Sequence, residues 1–205
     1  MQLPESIESL KKTSVKKLVD RRIKEFKRLG KGSNNTLFKE LCFCVLTANY
    51  NAEKAIKIQK EIGNGFLTFP ESKLSRKLKT LGYRYPNNRA KYIVDNRKHL
   101  NSLKEILNSR ENKAREWLIR EVKGIGYKEA SHFLRNTGCD NCAIIDFHII
   151  DVLVKHKLIK RPKTLTKKRY LEIEKLLKKL AQRVGVDPAE LDLYLWYMET
   201  GKVLK

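Results

Sequence analysis

The sequence predicts an all-α fold. Apolar residues recur along almost the whole chain at the spacing of one helix face, and no segment alternates between polar and apolar residues as a half-buried strand would. Helical stretches end at glycines or begin at Ser, Thr and Asp residues that are typical of helix boundaries. At 205 residues the chain is one large domain or two small lobes, long enough to bury a hydrophobic core.

The apolar periodicity and the boundary residues place the helices in chain order. The first stripe (Leu10, Leu18, Ile23, Phe26) predicts one helix that Gly30 stops. Near the other end, Asp187-Pro188 supplies a capping carboxylate and a first-turn proline. The full set of predicted helices is 7–29, 36–48, 52–62, 72–82, 89–100, 114–122, one that ends at Gly138, 147–157, 166–184 and 188–200.

The charge of the chain indicates a polyanionic partner. Forty-five basic residues against 23 acidic ones give a net charge of +22, with a pI near 9.9. Folding needs no such excess, so DNA or RNA is the expected partner, although a surface selected for solubility or heat resistance would also be basic. The sequence has no apolar run near the roughly 18 residues of a membrane span and no signal peptide, so we expect an intracellular protein without a membrane partner.

Four cysteines form a C-x-C and a C-x2-C pair. Cys42 and Cys44 lie in an apolar helical stretch, where residues two apart do not share a face, which favours buried structural thiols over paired metal ligands. Cys139 and Cys142 flank a turn and remain ambiguous. We expect no metal and no cofactor.

A glycine hairpin stands near the middle of the chain. Lys123, Gly124, Ile125 and Gly126 follow one amphipathic run and precede another. Glycines can take backbone angles that a side chain forbids, and the amides at the mouth of the next helix favour an anion. The segment predicts a helix-hairpin-helix clamp on a nucleic-acid backbone.

A lysine and an aspartate that follow the hairpin suggest catalysis as well as binding. Lys128 lies in the first turn of the second helix, and Asp146 stands after a loop, at the head of a new apolar run. An uncharged lysine amine can attack carbon and form a Schiff base. A carboxylate facing it can stabilise positive charge that develops on a sugar.

Together, the hairpin, Lys128 and the Asp-Phe-His of Asp146 to His148 resemble the helix-hairpin-helix superfamily of DNA base-excision glycosylases. The whole chain is similar to the compact archaeal and bacterial class of 8-oxoguanine DNA glycosylase/AP lyases, often called type two. This resemblance implies two helical lobes with a cleft between them. Residues 31–136 would form one lobe, with the helix-hairpin-helix at about 113–136, and residues 1–30 plus 137–205 the other. Lys128 and Asp146 would be catalytic.

The resemblance also implies residues that handle the flipped nucleotide and its partner strand. Asn49 matches the polar segment that borders the pocket, although a helix cap is an equally good interpretation. Arg84 and Tyr85 match an arginine reader and an aromatic wedge that fill the gap in the duplex. Tyr83 or Arg89 could take these places if the register differs, and a plain surface turn is the alternative.

For the damaged-base pocket, the resemblance and the aromatic last helix suggest four residues. Trp196 or Met198 could supply a flat or soft wall, Ser131 lies one turn beyond Lys128, and Lys205 matches the carboxyl-terminal lysine of the class. Core packing explains Trp196 and Met198 about equally well. His148 is expected to be a helix-start or core histidine.

These inferences give one principal hypothesis and two alternatives. The principal one is a monomeric, bifunctional enzyme of the cytoplasm or nucleoid of an archaeal or thermophilic prokaryote. It would excise 8-oxoguanine opposite cytosine from double-stranded DNA through a lysine Schiff base and cut the strand by β-elimination. The alternatives are an endonuclease III-like glycosylase for oxidised pyrimidines and a non-catalytic helix-hairpin-helix DNA-binding protein.

Overall fold

A computed structural model describes residues 2–205, which form thirteen α-helices and a 3-10 segment at Arg97–Ser102, with no strand among them. The all-α prediction is confirmed. No helix in this range is long and apolar enough to cross a membrane. The helices are α1 Leu3–Lys11, α2 Ser14–Gly30, α3 Asn34–Thr47, α4 Ala52–Ile62, α5 Gly65–Thr68, α6 Glu71–Thr80, α7 Pro86–Asn96, α8 Leu103–Leu107, α9 Glu111–Glu121, α10 Tyr127–Asn136, α11 Phe147–Lys155, α12 Lys167–Arg183 and α13 Pro188–Thr200.

The first predicted helix is two helices. The prediction of one helix over 7–29 is wrong because the chain breaks between α1 and α2. Thr13 adopts an extended backbone and its hydroxyl accepts a hydrogen bond from the amide of Val15 at 3.2 Å, which caps α2. Both helices bury apolar residues, such as Ile7 and Val19, in the same core, so the apolar stripe continues across the break.

One helix begins earlier than predicted, and two short helices were not predicted at all. α7 begins at Pro86, three residues before the predicted start, because proline suits the first turn of a helix. The short helices α5 and α8 lie in stretches where no helix was predicted. With only 4 and 5 residues, each is too short to show a helical period in the sequence.

Buried apolar side chains form two clusters. The first draws on residues 37–134 together with Cys142, and the second on residues 3–26 and 143–195. This division lies close to the predicted lobes 31–136 and 1–30 plus 137–205, which stay a prediction. Cys42 and Cys44 are fully buried free thiols in the first cluster, which confirms the prediction for that pair.

Two buried ion pairs join the clusters. Arg115 of α9 binds both carboxylate oxygens of Glu174 in α12, at 2.6 and 3.1 Å. Arg135 of α10 binds Asp192 of α13. All four side chains are at least nine-tenths buried. Helices on either side of the boundary are therefore held by charge-assisted hydrogen bonds that water does not screen.

The cap of α13 gives a pH-dependent prediction. Asp187 accepts the amide of Glu190 at 2.8 Å, and burial raises the pKa of its carboxyl from 3.8 to about 6. The Asp187 carboxyl therefore binds its proton more tightly in the folded protein than in the unfolded chain. As a result, the contribution of Asp187 to the free energy of unfolding falls as pH rises from about 4 to about 6. We expect Asp187→Asn, which keeps the cap without the charge, to melt at a higher temperature than the natural protein above that window. The difference should vanish at its acidic end, and a less stable Asn variant at neutral pH would contradict the assignment.

Candidate active site

The glycine hairpin lies between α9 and α10, as predicted. Gly124 has a φ of +82°, a left-handed conformation that side chains rarely adopt, and an added Cβ would lie 2.7 Å from Cδ2 of Tyr92. Gly126 has a φ of −111°, which any residue adopts. The expectation that both glycines need special backbone angles therefore holds only for Gly124.

The two glycines form a matched pair for mutation. Gly124→Ala combines a strained φ with a clash against Tyr92, and we expect it to lower the free energy of unfolding by about 1–3 kcal/mol. Gly126→Ala should change it little, because its new Cβ meets only a carboxylate oxygen of Glu129, at 3.5 Å. Urea denaturation of both variants measures the contrast. An equal loss in the free energy of unfolding for the two variants would show that the hairpin does not depend on the left-handed backbone of Gly124.

The structure narrows the set of hairpin amides that can bind an anion. The amide of Lys123 donates to Oδ1 of Asn96 at 2.9 Å, and that of Gly126 donates to Oε2 of Glu129 at 3.2 Å. The amides of Gly124 and Ile125 donate to no atom of residues 2–205. Together with the first turn of α10, these two amides form the electropositive end of the motif.

A cavity of about 800 Å³ opens beside the start of α10. This volume lies in the usual range for a small-molecule site. Its walls come from both core clusters and from the last residues of the chain. The lining residues are Thr47, Asn49, Tyr50, Asn51, Ala52, Glu53, Arg84, Lys128, Glu129, His132, Arg135, Ile144, Asp146, Phe147, His148, Asp192, Trp196, Thr200, Lys202, Leu204 and Lys205.

One face of α10 provides the basic wall. Lys128, His132 and Arg135 follow one another at helical spacing and all line the cavity. Another part of the cavity wall comes from α13, where Asp192, Trp196 and Thr200 also lie on one face of the helix.

The two predicted catalytic residues line this same cavity. The Lys128 side chain is 23% exposed, and Nζ lies 3.7 Å from Oε1 of Glu129. Asp146 caps α11, where Oδ1 accepts the amide of Ile149 at 3.0 Å. The capping bond fixes the orientation of the carboxylate while Lys128 stays accessible to solvent.

His132 is a residue that the sequence analysis left out. It lines the cavity, packs edge-on against Phe43 at 5.5 Å between ring centroids, and neither ring nitrogen has a hydrogen-bond partner among residues 2–205. Burial, together with the charges of Arg135, Lys128 and Lys205, lowers the pKa of His132 well below its ordinary value. The cavity therefore contains a neutral imidazole with unsatisfied polar atoms.

Asp192 and Phe147 were also missed. Burial raises the pKa of the Asp192 carboxyl, while the positive charge of Arg135 opposes that rise. Phe147 is 64% exposed at the cavity wall, and its ring lies 4.0 Å from that of His148, which in turn meets Trp196 edge-on at 4.7 Å. Exposure of a large aromatic residue beside Asp146 was a signal that sequence spacing could not show. His148 lies in the first turn of α11, as expected.

The predicted pocket residues divide into two groups. Trp196 and Lys205 line the cavity, but Ser131 and Met198 do not. Ser131 is fully buried about 60° around α10 from Lys128, and its hydroxyl is 3.1 Å from that of Tyr170. Met198 packs against the second core cluster. Placing these two in the pocket was therefore wrong.

Lys205 reaches the cavity in an unexpected way. Its Nζ lies 2.7 Å from Oε2 of the buried Glu40, contacts Gln59, and sits 4.1 Å from the ring centroid of Phe43. The ammonium therefore fastens the tail to the first core cluster, and the residue as a whole is part of the cavity wall.

The structure separates the four candidate residues of the aromatic loop by burial and bonding. Tyr83 is buried and donates its hydroxyl to the carbonyl of Leu46 at 2.8 Å, while Arg89 holds the carbonyl of Ala48 at 3.2 Å. Both are structural. Arg84 lines the cavity and lies over the ring of the exposed Tyr85, 4.9 Å from its centroid. Only these two remain free to meet a ligand.

Asn49 lines the cavity at the end of α3. It is exposed and has a φ of +57°, a left-handed conformation that is uncommon outside glycine but tolerated by asparagine. The fold maintains this strained angle at the rim of the cavity, where strain often marks a functional position.

Comparison with known proteins identifies relatives of this chain. The family model described as 8-oxoguanine DNA glycosylase matches residues 19–186. A Methanocaldococcus jannaschii protein named 8-oxoguanine DNA glycosylase/AP lyase is 54% identical over the full length of both chains. A Thermotoga maritima protein of the same name is 52% identical over 93% of each.

Solved structures give the same result. The M. jannaschii 8-oxoguanine glycosylase/lyase in complex with a 15mer DNA containing 8-oxoguanine matches with a TM-score of 0.97 and 52% identity, covering 100% of both chains. The T. maritima 8-oxoguanine DNA glycosylase matches with a TM-score of 0.94 and 49% identity, covering 99% of this chain and 98% of that one. The chain belongs to the 8-oxoguanine DNA glycosylase family.

Proposed function

We propose that this protein is a bifunctional DNA glycosylase and AP lyase that excises 8-oxoguanine from duplex DNA and then cuts the strand. The observation that carries the proposal is that Lys128 and Asp146 line one cavity of about 800 Å³, room enough for a flipped nucleotide. The names of the archaeal and Thermotoga relatives agree with this activity. Because these relatives come from an archaeon and from Thermotoga, we place the protein in the cytoplasm or nucleoid of a prokaryote.

Lys128 acts as the nucleophile. Its Nζ attacks C1′ of the damaged nucleotide, a C1′–Nζ bond forms while the C1′–N9 bond breaks, and the base leaves with a proton. Asp146 stabilises the positive charge that develops on the sugar. Opening of the sugar ring gives an imine between C1′ and Nζ. Removal of a C2′ proton then expels the 3′ phosphate by β-elimination and cuts the strand.

The cavity walls suit a purine base. Trp196 and Phe147 offer flat surfaces, and base–aromatic stacking contributes about 1–3 kcal/mol per base. The lowered pKa of His132 keeps its imidazole neutral, so one ring nitrogen can accept a hydrogen bond while the other donates one.

Duplex DNA would lie across the cavity mouth. The free amides of Gly124 and Ile125 bind a backbone phosphate, and Lys123 stands beside them. Arg84, Tyr85 and Asn49 then fill the space that the flipped nucleotide leaves and contact the opposite strand. We propose a monomer whose lobes are residues 31–136 and the two chain ends, 1–30 plus 137–205.

A panel of lesion duplexes tests the proposal. The protein is incubated with duplexes that carry 8-oxoguanine opposite cytosine, thymine glycol, or no damage, with and without borohydride. We expect strand cleavage and a trapped covalent complex with the 8-oxoguanine duplex alone. Preference for thymine glycol would indicate a pyrimidine glycosylase. Salt-dependent binding that leaves every lesion intact would indicate a DNA-binding module and refute the proposal.

A further inference from the structure

The C-x2-C turn and the start of the helix-hairpin-helix bring three metal-ligating groups together. Cys139 and Cys142 flank the turn after α10, and their sulfur atoms lie 3.4 Å apart. Glu111 stands at the first position of α9. One carboxylate oxygen of Glu111 and both sulfur atoms lie within 4.8 Å of one another. None of the three residues lines the cavity described above.

One carboxylate oxygen of Glu111 lacks a hydrogen-bond donor. Its Oε1 is buried and has no hydrogen-bond partner among residues 2–205, and Nζ of Lys178 lies 3.9 Å away, too far for a hydrogen bond. Burial of a charged oxygen without a partner costs free energy, so an unsatisfied group of this kind calls for an explanation. A bound cation between the carboxylate and the two sulfur atoms would supply one.

The geometry and the donor set select the metal. Zinc binds thiolate sulfur at about 2.3 Å, so two sulfur ligands of a tetrahedral site lie about 3.8 Å apart, close to the distance found here. Two soft sulfur donors favour zinc over the hard cations magnesium and calcium. A disulfide needs the two sulfur atoms at about 2.05 Å, well inside their separation of 3.4 Å.

We propose that Cys139, Cys142 and Glu111 bind one Zn²⁺, with a water molecule in the fourth position. Binding releases the two thiol protons and breaks no covalent bond between heavy atoms. The C-x2-C spacing left a role for the two cysteines open, but Glu111 could not be linked to them from sequence because it is far away in the chain.

The site would fasten two parts of the enzyme that must stay in register. Glu111 begins the helix that leads into the hairpin, and Cys142 lies four residues before Asp146. A metal here fixes the loop that delivers Asp146 to the cavity against the first helix of the DNA-binding motif. The ion is structural, so its binding shows in spectra and in thermal stability whether or not the proposed repair activity is correct.

The test uses Co²⁺ as a spectroscopic substitute for Zn²⁺. The full-length protein is stripped with a chelator, reduced with a phosphine that does not bind metal, and titrated with Co²⁺. We expect sulfur-to-cobalt charge-transfer absorption that saturates at one equivalent and disappears on addition of Zn²⁺. Zinc should also raise the melting temperature.

Matched variants locate the ligands. Cys139→Ser and Cys142→Ser should abolish the band, and Glu111→Gln should weaken binding by at least about tenfold. Cys42→Ser, which changes a buried cysteine elsewhere in the first core, should keep it. Absence of the band in the natural protein, or a band that survives Cys139→Ser, would overturn the proposal. So would a Cys139–Cys142 disulfide in protein purified from cells without reductant.

Discussion

The variant Lys128→Gln is expected to give no covalent complex with borohydride and to release 8-oxoguanine at least about 10³-fold more slowly than the natural protein. Glutamine has similar length and polarity, but its amide nitrogen cannot attack C1′ or form an imine. The fold should survive, because the side chain is partly exposed and the only ion pair of Nζ in the structure is a loose one, at 3.7 Å from Glu129. Single-turnover base release and a trapping gel measure the two effects.

Lys202→Gln is the matched control for this experiment. Lys202 lines the same cavity and pairs with the half-buried Glu53, so it is a second cavity lysine with a carboxylate partner, but without the position at the start of α10. We expect it to keep trapping and most of the rate. Trapping that persists in Lys128→Gln but fails in Lys202→Gln would move the nucleophile to Lys202.

Glu174→Leu should cause the largest loss of stability, about 3–5 kcal/mol in the free energy of unfolding. It leaves the guanidinium of Arg115 buried with only Asn112 at 3.3 Å and Ser131 at 3.5 Å as partners. Burial disfavours the charge of Arg115, but the hydrogen bonds and attraction to Glu174 outweigh it and raise the pKa of the guanidinium. Removal of Glu174 therefore leaves a desolvated charge uncompensated.

Two comparisons make this prediction specific. The double variant Arg115→Met with Glu174→Leu removes both charges and should recover most of the loss, because an apolar pair often replaces a buried ion pair at little cost. Glu25→Gln breaks an ion pair with Arg22 that is only half-buried, and should cost less than about 1 kcal/mol. Urea denaturation measures all three. A loss in Glu174→Leu no larger than that in Glu25→Gln would show that water reaches the pair.

The shared position of Lys128 and Asp146, the proposed catalytic pair, could be anticipated because its signals are local. Lys128 follows Gly124 by about one helical turn of sequence. Asp146 directly precedes an apolar helix, where an aspartate is a typical cap. Such short-range patterns depend on backbone chemistry that the sequence states directly. The position of both residues on one cavity then follows from packing.

The walls of the cavity could not be predicted in the same way. Ser131 and His132 are adjacent on α10 and both are buried, but only His132 lines the cavity, whereas Ser131 contacts the hydroxyl of Tyr170, 39 residues away. Likewise, sequence alone does not distinguish Tyr83 from Tyr85. In the structure, the hydroxyl of Tyr83 donates a hydrogen bond to the carbonyl of Leu46. Long-range partners of this kind leave no periodic trace.

The composition of the two core clusters has a consequence for biosynthesis. The first cluster uses a nearly continuous stretch, 37–134, whereas the second joins α1 and α2 to helices from the far end of the chain. As the ribosome releases the polypeptide, the first cluster can condense early, while the apolar faces of α1 and α2 wait for α11 to α13 to emerge. During that interval the earliest-made segment is the one most exposed to aggregation and to chaperones.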